Sequence, residues 1–530
     1  MIGETDRTIR RTRDFRLWIV VEGALVGIPA GFVVSLLRLG MGRLEKRREA
    51  FIGNGAWTPE KFTVWTMIVL AAFFLVCLIV WIQPAAGASG IPQLKAELQG
   101  KMEEPWPTTL AGRLVGTMTA IGTGLSMGNE GPSVQLGAMC GKMISRMMQR
   151  MGTEEKLLMT CGAGAGLASA FSAPFAGTMF ALEDLHSNLS KEILASTMAA
   201  SITASLVTVN IFGLRPVVSL NVQSAVPVHY YWFLLPLGVL TGAAGVGFNR
   251  VTDFLQTQYG RIHNKYLRML IPFLLLLPVA VFVPDIMGAG YHSIESIAAG
   301  GMAFRVLIVF ALLKFCFALS CTTSGTPGGI FLPILVMGAA FGGGYYALVD
   351  GWIPGDQPYL ANFVLCGMVG YFAASIRAPL TGVILITEMT GNFQNFLSLS
   401  VVALLAVFTA QMLKGVPIYE QLLNRLLVSQ GETPKQYRRR KVLTETDVHM
   451  GSYMDGTDIA HMELPRGCLV VSVLHNGIEA VPDGSTRVYA GDKMSLICNE
   501  ADLLEVNETL ERLCRTYEGA GPKAPGEDKK

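Results

Sequence analysis

The stretch "GLSMGNEGPSVQLGAMCGK" (124–142) sets one carboxylate, Glu130, among glycines and a proline, in surroundings apolar enough for a lipid bilayer. An acid in such a place is costly and is by default a functional residue, with a buried, satisfied structural glutamate as the alternative. Two further acids stand side by side in "FALEDL", at Glu183 and Asp184. Three Gly/Pro motifs accompany them: "ASGIP" (88–92), "GNEGP" (128–132) and "GGIFLP" (328–333). Each precedes a helix-compatible apolar run and carries a proline where a first helical turn tolerates one. Glycine permits close backbone approach. A helix that begins inside a bilayer leaves free N–H groups and the positive end of its dipole. Several such starts aimed at one point would bind an anion without a full positive charge, and so without holding it too tightly for fast release. The alternative for each motif is an ordinary helix break packed against neighbours. Other chemistries find less support. The seven histidines form no H-E-x-x-H pattern, which weakens a metalloprotease reading. The nine cysteines are scattered singly, with no C-x-x-C pair, and read as small packed residues. No cofactor or metal is expected.

The elements that must position these residues are membrane helices. The chain has 530 residues, 51% hydrophobic and 15% charged, with a mean hydropathy of +0.43. Soluble domains are usually more charged. Segments 18–37, 64–82, 269–283 and 397–413 are long and apolar enough to be spans. The fold class is therefore an all-α polytopic membrane protein. The net charge of +2 gives no sign of a nucleic-acid partner. The basic start "MIGETDRTIRRTRDFR" has no small-residue cleavage site, so residues 1–14 read as a cytoplasmic segment. Residues 15–425 read as the embedded part and 426–446 as a basic connector, "KQYRRRKV" being its centre. "RLEKRREA" (43–50) fits less well, because a count of spans from a cytoplasmic start puts it outside.

The pattern then changes. "CLVVSVLHNG" and "NGIEAVPDGSTRVYAGDKMSLICNE" read as short strands separated by N-G, D-G and G-D turns. "ADLLEVNETLERLC" has helical periodicity. Residues 447–515 are thus a small soluble α+β module, and 516–530 a disordered tail.

The embedded part repeats internally. "FSAPFAGTMFALED" aligns with "SIRAPLTGVILITEM": Ala173-Pro174 on Ala378-Pro379, Gly177 on Gly382, Glu183 on Glu388. "GNEGPSVQLGA" aligns with "GGIFLPILVMGA": Pro132 on Pro333, and Glu130 on Phe331. Arg113 lies seventeen residues before Glu130, as Lys314 lies seventeen before Phe331. The halves run from about 15 to 215 and from about 225 to 425. Repeats of this kind are typical of transporters, whose substrate site lies between the halves where helices break.

In this order, the three motifs are similar to the anion-binding signatures of the CLC family of chloride channels and chloride/proton antiporters. "RAPLTGVILITEMTGNF" and "SAPFAGTMFALED" look like further family signatures, and "GVPIYEQLL" (415–423) resembles the segment that brings a tyrosine to the site. The resemblance spans about 400 residues. It implies the family's inverted-repeat helical fold and a homodimer in which each subunit holds its own pathway. It implies chloride and protons as the transported ions, and no enzyme activity. The anion-binding backbone would come from Ser89, Gly90, Ile91 and Pro92, from Gly128, Asn129, Gly131 and Pro132, and from Gly329, Ile330 and Phe331. The hydroxyls of Ser89 and Tyr419 and the amides of Ile330 and Phe331 would surround the central anion. Hydroxyl and amide donors suit a halide. Without the resemblance, Ser89 could be an N-cap and Tyr419 an interfacial anchor. Glu130 matches the gating glutamate: ionised, its carboxylate competes with chloride; protonated, it swings away. Asn129 stands where arginine is commoner, which removes a positive charge near the outer site. Asp184 matches a position that is usually glutamate in antiporters, where it takes protons from the cytoplasm, and apolar in many channels. It could instead end a helix near water. Arg113 reads as a long-range attractor for anions, or as a snorkelling or structurally paired base.

The resemblance thus implies a chloride/proton antiporter, with a passive chloride channel of the same fold as the alternative. Ser89 and Tyr419 favour chloride over fluoride, and serine rather than proline at 89 favours it over nitrate. An intramembrane protease built on Glu130 and Asp184 finds no support, because neither acid stands in a Gly-Asp pair and no zinc motif accompanies them. The soluble module resembles the TrkA-C type of regulatory domain, which implies dimerisation and a small-molecule ligand. The absence of disulfide patterning and of a targeting segment fits a bacterial inner membrane, with both termini cytoplasmic.

Overall fold

The structure is a computed structural model. It describes residues 2–514, with 2–17 by backbone alone and without 54, 151, 187–190, 221, 223, 354–358, 432–440, 463, 465–466, 476–477 and 500–502. The centre of the basic connector and the tail 516–530 lie outside the described residues. The chain divides into two compact units, Met1–Leu426 and Leu427–Lys530.

The first unit is two copies of one eight-helix plan. The first copy is α1 (Ile2–Gly53), α2 (Pro59–Ile82), α3 (Ile91–Leu98), α4 (Trp106–Thr123), α5 (Glu130–Met147), α6 (Thr153–Phe171), α7 (Pro174–Phe180) and α8 (Lys191–Phe212). The second is α9 (Leu234–Gly260), α10 (Lys265–Phe282), α11 (Tyr291–Ala298), α12 (Phe304–Thr323), α13 (Phe331–Val349), α14 (Leu360–Ile376), α15 (Pro379–Thr390) and α16 (Phe396–Met412). Helix α17 (Ile418–Ser429) stands outside the plan. Among the described residues, seven helices are long and apolar enough to cross a membrane. Helix α1 carries the basic segment 43–50 as an unbroken continuation of the first span. There Arg48 is buried, pairs with Glu45 at 3.0 Å and faces the Ile121 carbonyl. Fold contacts, not a loop in water, thus take up part of that charge.

Local chemistry sets the same breaks in both copies. Helices α6 and α14 end on left-handed residues, Ser172 (φ 54°) and Arg377 (φ 71°). Ala-Pro follows each, and the residue before a proline is pushed out of the helical region, so α7 and α15 start afresh. Small residues hold the helices close. A side chain on Gly162 of α6 would strike the backbone at Gly137 of α5, and one on Gly367 of α14 the backbone at Gly338 of α13. The two copies meet head to head at an antiparallel bridge, Gly128 with Gly329, through N···O distances of 2.8 and 2.7 Å. This bridge lies just before the starts of α5 and α13.

In the second unit, β1 (Lys441–Asp447), β2 (Leu469–His475), β3 (Ile478–Ala480) and β4 (Lys493–Asn499) form an antiparallel sheet in the order β1-β4-β2-β3. The amphipathic α18 (Leu503–Cys514) packs Val506 and Leu510 into its core with Met494, Leu496 and Cys498. Strand β1 begins in the segment read from sequence as connector, so the folded module starts before 447.

Candidate functional site

Two loops of matching design open the short helices of the two copies. The turn Pro84–Ala86 leads into α3, and the turn Pro284–Ile286 leads into α11. Each helix is preceded by a glycine that needs a left-handed backbone, Gly90 (φ 95°) and Gly290 (φ 100°). The Ala88 amide donates to the Gly325 carbonyl at 3.0 Å, and the Gly288 amide to the Gly124 carbonyl at 3.0 Å. Arg113 is fully buried and donates to the carbonyls of Ala85 (2.8 Å), Gly87 (2.9 Å) and Ala88 (2.6 Å). Lys314 does the same for Ile286 and Gly288, both at 3.0 Å. Of the two readings of Arg113, the geometry bears on the structural one: its donors clamp the loop that carries Ser89.

Ser89 precedes the N-cap, Gly90, and its hydroxyl makes no capping bond. The amide of Gly90 donates to Gln93 Oε1 at 3.0 Å. Ile91 and Pro92 form the first turn of α3. Ser89 Oγ is buried and has no hydrogen-bond partner among the described residues, and the same holds for Tyr419 Oη at the start of α17. Tyr419 is completely enclosed, which an interfacial anchor would not be. Two buried hydroxyls with no partner among the described residues are left free to donate to a ligand. Gly131 lies against Ser89, since a Cβ there would come within 2.9 Å of the hydroxyl. Gly128, Asn129 and Pro132 complete the first turn of α5 and its approach. Gly329, Ile330 and Phe331 do so for α13, with Ile330 as N-cap. The ring of Phe331 packs against Phe171, Phe180 and Phe372 and fixes that start.

Glu130 is the first residue of α5 and is completely buried. Glu130 Oε2 has no hydrogen-bond partner among the described residues and lies beside Gly128, as does Leu332 in the first turn of α13. The acid therefore lies at two helix N-termini at once, as an anion would. Tyr291, at the start of α11, donates to Glu130 Oε1 at 3.3 Å or to Asn129 Oδ1 at 3.2 Å.

Asp184 lies in a π-helical turn, Ala181–His186. Successive acids there face different partners. Glu183 accepts from the Thr381 amide (2.8 Å) and hydroxyl (2.7 Å) at the start of α15. The Asp184 side chain, 7% exposed, pairs with Lys95 of α3 at 2.8 Å. The Lys95 ammonium also lies 5.6 Å from the centre of the Tyr419 ring, within cation–π range. Tyr419, Lys95 and Asp184 thus form one cluster, and Glu130, Asn129 and Tyr291 another, while Ser89 lies against Gly131 in the first turn of α5.

Behind them lies a buried polar network. Lys142 pairs with Glu97 and donates to the Glu104 carbonyl, and Gln135 donates to Glu104 Oε2 at 2.7 Å. Sequence reasoning missed Lys95, Tyr291 and this network. Lys95 had a signal, a charge one and a half turns past Ser89 in an apolar segment. Tyr291 had one too, since "GAGYHSIESI" stands where the repeat expects a counterpart to "GASGIPQLKAEL".

Residues 69–411 match the family model described as voltage gated chloride channel, and 443–511 match the TrkA-C domain. Among curated proteins, the chain is 32% identical over 419 residues to the H(+)/Cl(-) exchange transporter ClcA of Vibrio parahaemolyticus, covering 77% of this chain and 90% of that protein. It is 31% identical over 445 residues to ClcA of Yersinia pestis, covering 81% and 92%. Among solved structures, a slow cyanobacterial Cl-/H+ antiporter superposes with a TM-score of 0.72 at 28% identity, over 78% of this chain and 99% of that one. A CLC-type fluoride/proton antiporter shares the fold at 21% identity, with a TM-score of 0.64 over 76% of this chain and 97% of that one.

Proposed function

The chain belongs to the voltage-gated chloride channel family, as a multi-pass membrane protein carrying a TrkA-C module, and on that premise we propose that it exchanges chloride for protons, with Glu130 as the gate. The observation that carries this reading is the position of the Glu130 carboxylate at the N-termini of α5 and α13. Ionised, Glu130 occupies a position that an anion would take. Neutral, it loses the attraction of two helix ends and leaves that position to chloride. Chloride then rests on the hydroxyls of Ser89 and Tyr419, which have no partner among the described residues. Asp184 passes protons from the inner side, and a pathway with an acid at each end favours exchange over a passive channel. Relatives of similar length bear the name of H(+)/Cl(-) exchange transporter, which supports the same reading. The working form is a homodimer in a bacterial inner membrane, with both termini cytoplasmic. The TrkA-C module, which includes β1 from Lys441, regulates it through a small-molecule ligand.

Proton flux in proteoliposomes under an imposed chloride gradient tests the proposal. Exchange requires that chloride drive protons uphill. Glu130→Gln would keep chloride flow and lose proton movement, and Asp184→Asn would lose most proton movement. Chloride flow without uphill protons in the unaltered protein would mean a channel.

A further inference from the structure

We infer that Tyr291 is the outer latch of the gate: a positioning residue that holds ionised Glu130 in the pathway and releases it to chloride when the carboxylate takes a proton. The inference rests on the gating role proposed for Glu130. Its basis is a mismatch in hydrogen-bond count. The Tyr291 hydroxyl has one hydrogen, and two acceptors lie within reach, Glu130 Oε1 at 3.3 Å and Asn129 Oδ1 at 3.2 Å. Neither distance is that of a short, strong bond, so the hydrogen is shared. A charged acceptor outbids a neutral amide by roughly twofold in bond strength, so ionised Glu130 takes the hydrogen. A neutral carboxyl has no such advantage. The hydroxyl then turns to Asn129, and Glu130 is free to leave.

The fold explains why this hydroxyl stands there. Tyr291 opens α11, the counterpart of α3, so the two repeats aim corresponding helix starts at the pathway. In the first copy the hydroxyl comes from Ser89, before Gly90. In the second the corresponding residue is Ala289, which has none, and the hydroxyl comes from Tyr291, after Gly290. A cavity of about 710 Å³ reaches Tyr291 between α1 and α11. Its walls carry Glu45, Arg48 and Glu49 from α1, Asp285 from the preceding turn, and His292 and Glu295 from α11. Arg38 also faces Tyr291 electrostatically, and Lys314 lies beside Gly290. These groups set the background field but none is hydrogen-bonded to the Tyr291 hydroxyl; the latch itself is the choice between Glu130 and Asn129.

Full-length Tyr291→Phe in proteoliposomes, with chloride flux measured against outer pH, tests the latch. Losing the hydroxyl removes a bond that favours the ionised gate, so less acid is needed for release. The alkaline limb of the flux should move to higher pH by about half a unit to one unit. Asn129→Leu removes the competing acceptor and leaves the hydroxyl on Glu130, so the limb should move the other way. On a Glu130→Gln background, Tyr291→Phe should no longer shift the limb. An unmoved limb in Tyr291→Phe, or shifts of the same sign in both variants, overturns the latch while leaving exchange intact. Absence of chloride flux from the unaltered protein overturns the gating role first, and the latch with it.

Discussion

Glu183 and Glu388 cap each other's half of the molecule. Glu183, just beyond α7, accepts from the amides of Leu380 (3.3 Å) and Thr381 (2.8 Å) at the start of α15. Glu388, near the end of α15, accepts from the amides of Phe175 (3.2 Å) and Ala176 (2.8 Å) at the start of α7. Each acid thus satisfies free N–H groups at the helix start of the opposite repeat. Hydrogen bonds to a charged partner are worth about 1.5–3 kcal/mol each. Glu183→Ala and Glu388→Ala should therefore each lower the thermal unfolding midpoint in detergent, Glu183→Ala by more, because the Thr381 hydroxyl adds a third bond at 2.7 Å. Glu388→Gln, which keeps an acceptor without the charge, should lose less. An equal or larger loss in Glu388→Ala would show that the Thr381 hydroxyl adds nothing to the cap.

Arg113 and Lys314 invite a matched comparison. Each is enclosed, and each clamps the loop before a short helix. Leaving a buried acceptor unsatisfied costs about 1–3 kcal/mol. Arg113→Met strands three carbonyls and Lys314→Met two, so the first should be the more destabilised. Arg113→Lys is the telling variant. A long-range attractor would tolerate it, because the charge is kept. A clamp would not, because one ammonium does not reproduce the fork geometry of guanidinium. We expect a lowered unfolding midpoint with little change in the salt dependence of chloride uptake.

The repeat was legible because membrane helices that pack backbone to backbone keep their small residues in register. The offsets near 201 and 205 seen in "GNEGP" against "GGIFLP", and in "SAP" against "RAP", return as bridged Gly128 and Gly329 and as the paired breaks at Ser172 and Arg377. The starts of α3, α5 and α13 were legible for the same reason. What Arg113 and Lys95 do was not. Both are bases in apolar segments, and only the folded chain decides whether such a charge meets carbonyls, a carboxylate or an ion. Tyr291 was hidden for another reason: the second copy of the loop moves its hydroxyl to the other side of the glycine, so residue-by-residue alignment finds Ala289 where Ser89 stood.

In the soluble module, Asp483 gives a prediction with a pH sign. Its carboxylate accepts from the Ser485 amide (3.0 Å) and hydroxyl (2.7 Å) and from the Thr486 hydroxyl (3.0 Å). These bonds hold its pKa below the usual aspartate value. A group with a lowered folded pKa stabilises the turn above its unfolded pKa and loses that effect as pH falls through the folded one. Asp483→Asn should therefore speed amide exchange at Ser485 in the full-length protein at neutral pH. The difference from the unaltered chain should shrink once the acid titrates, below about pH 4.

The Lys95–Asp184 pair yields the last prediction, because it separates stability from transport. Both side chains are buried, with 9% and 7% of their surface exposed, and the pair closes at 2.8 Å. Breaking such a pair on one side leaves an uncompensated charge and typically costs about 3–5 kcal/mol, whereas replacing both partners with apolar residues is often neutral. Lys95→Met alone should thus be strongly destabilised, and Lys95→Met with Asp184→Leu should recover most of the loss. If Asp184 carries protons, the rescued double variant should fold and pass chloride yet fail to move protons uphill. A double variant that still couples protons to chloride would remove Asp184 from the proton path and leave the pair as a structural lock between α3 and the π-helical turn.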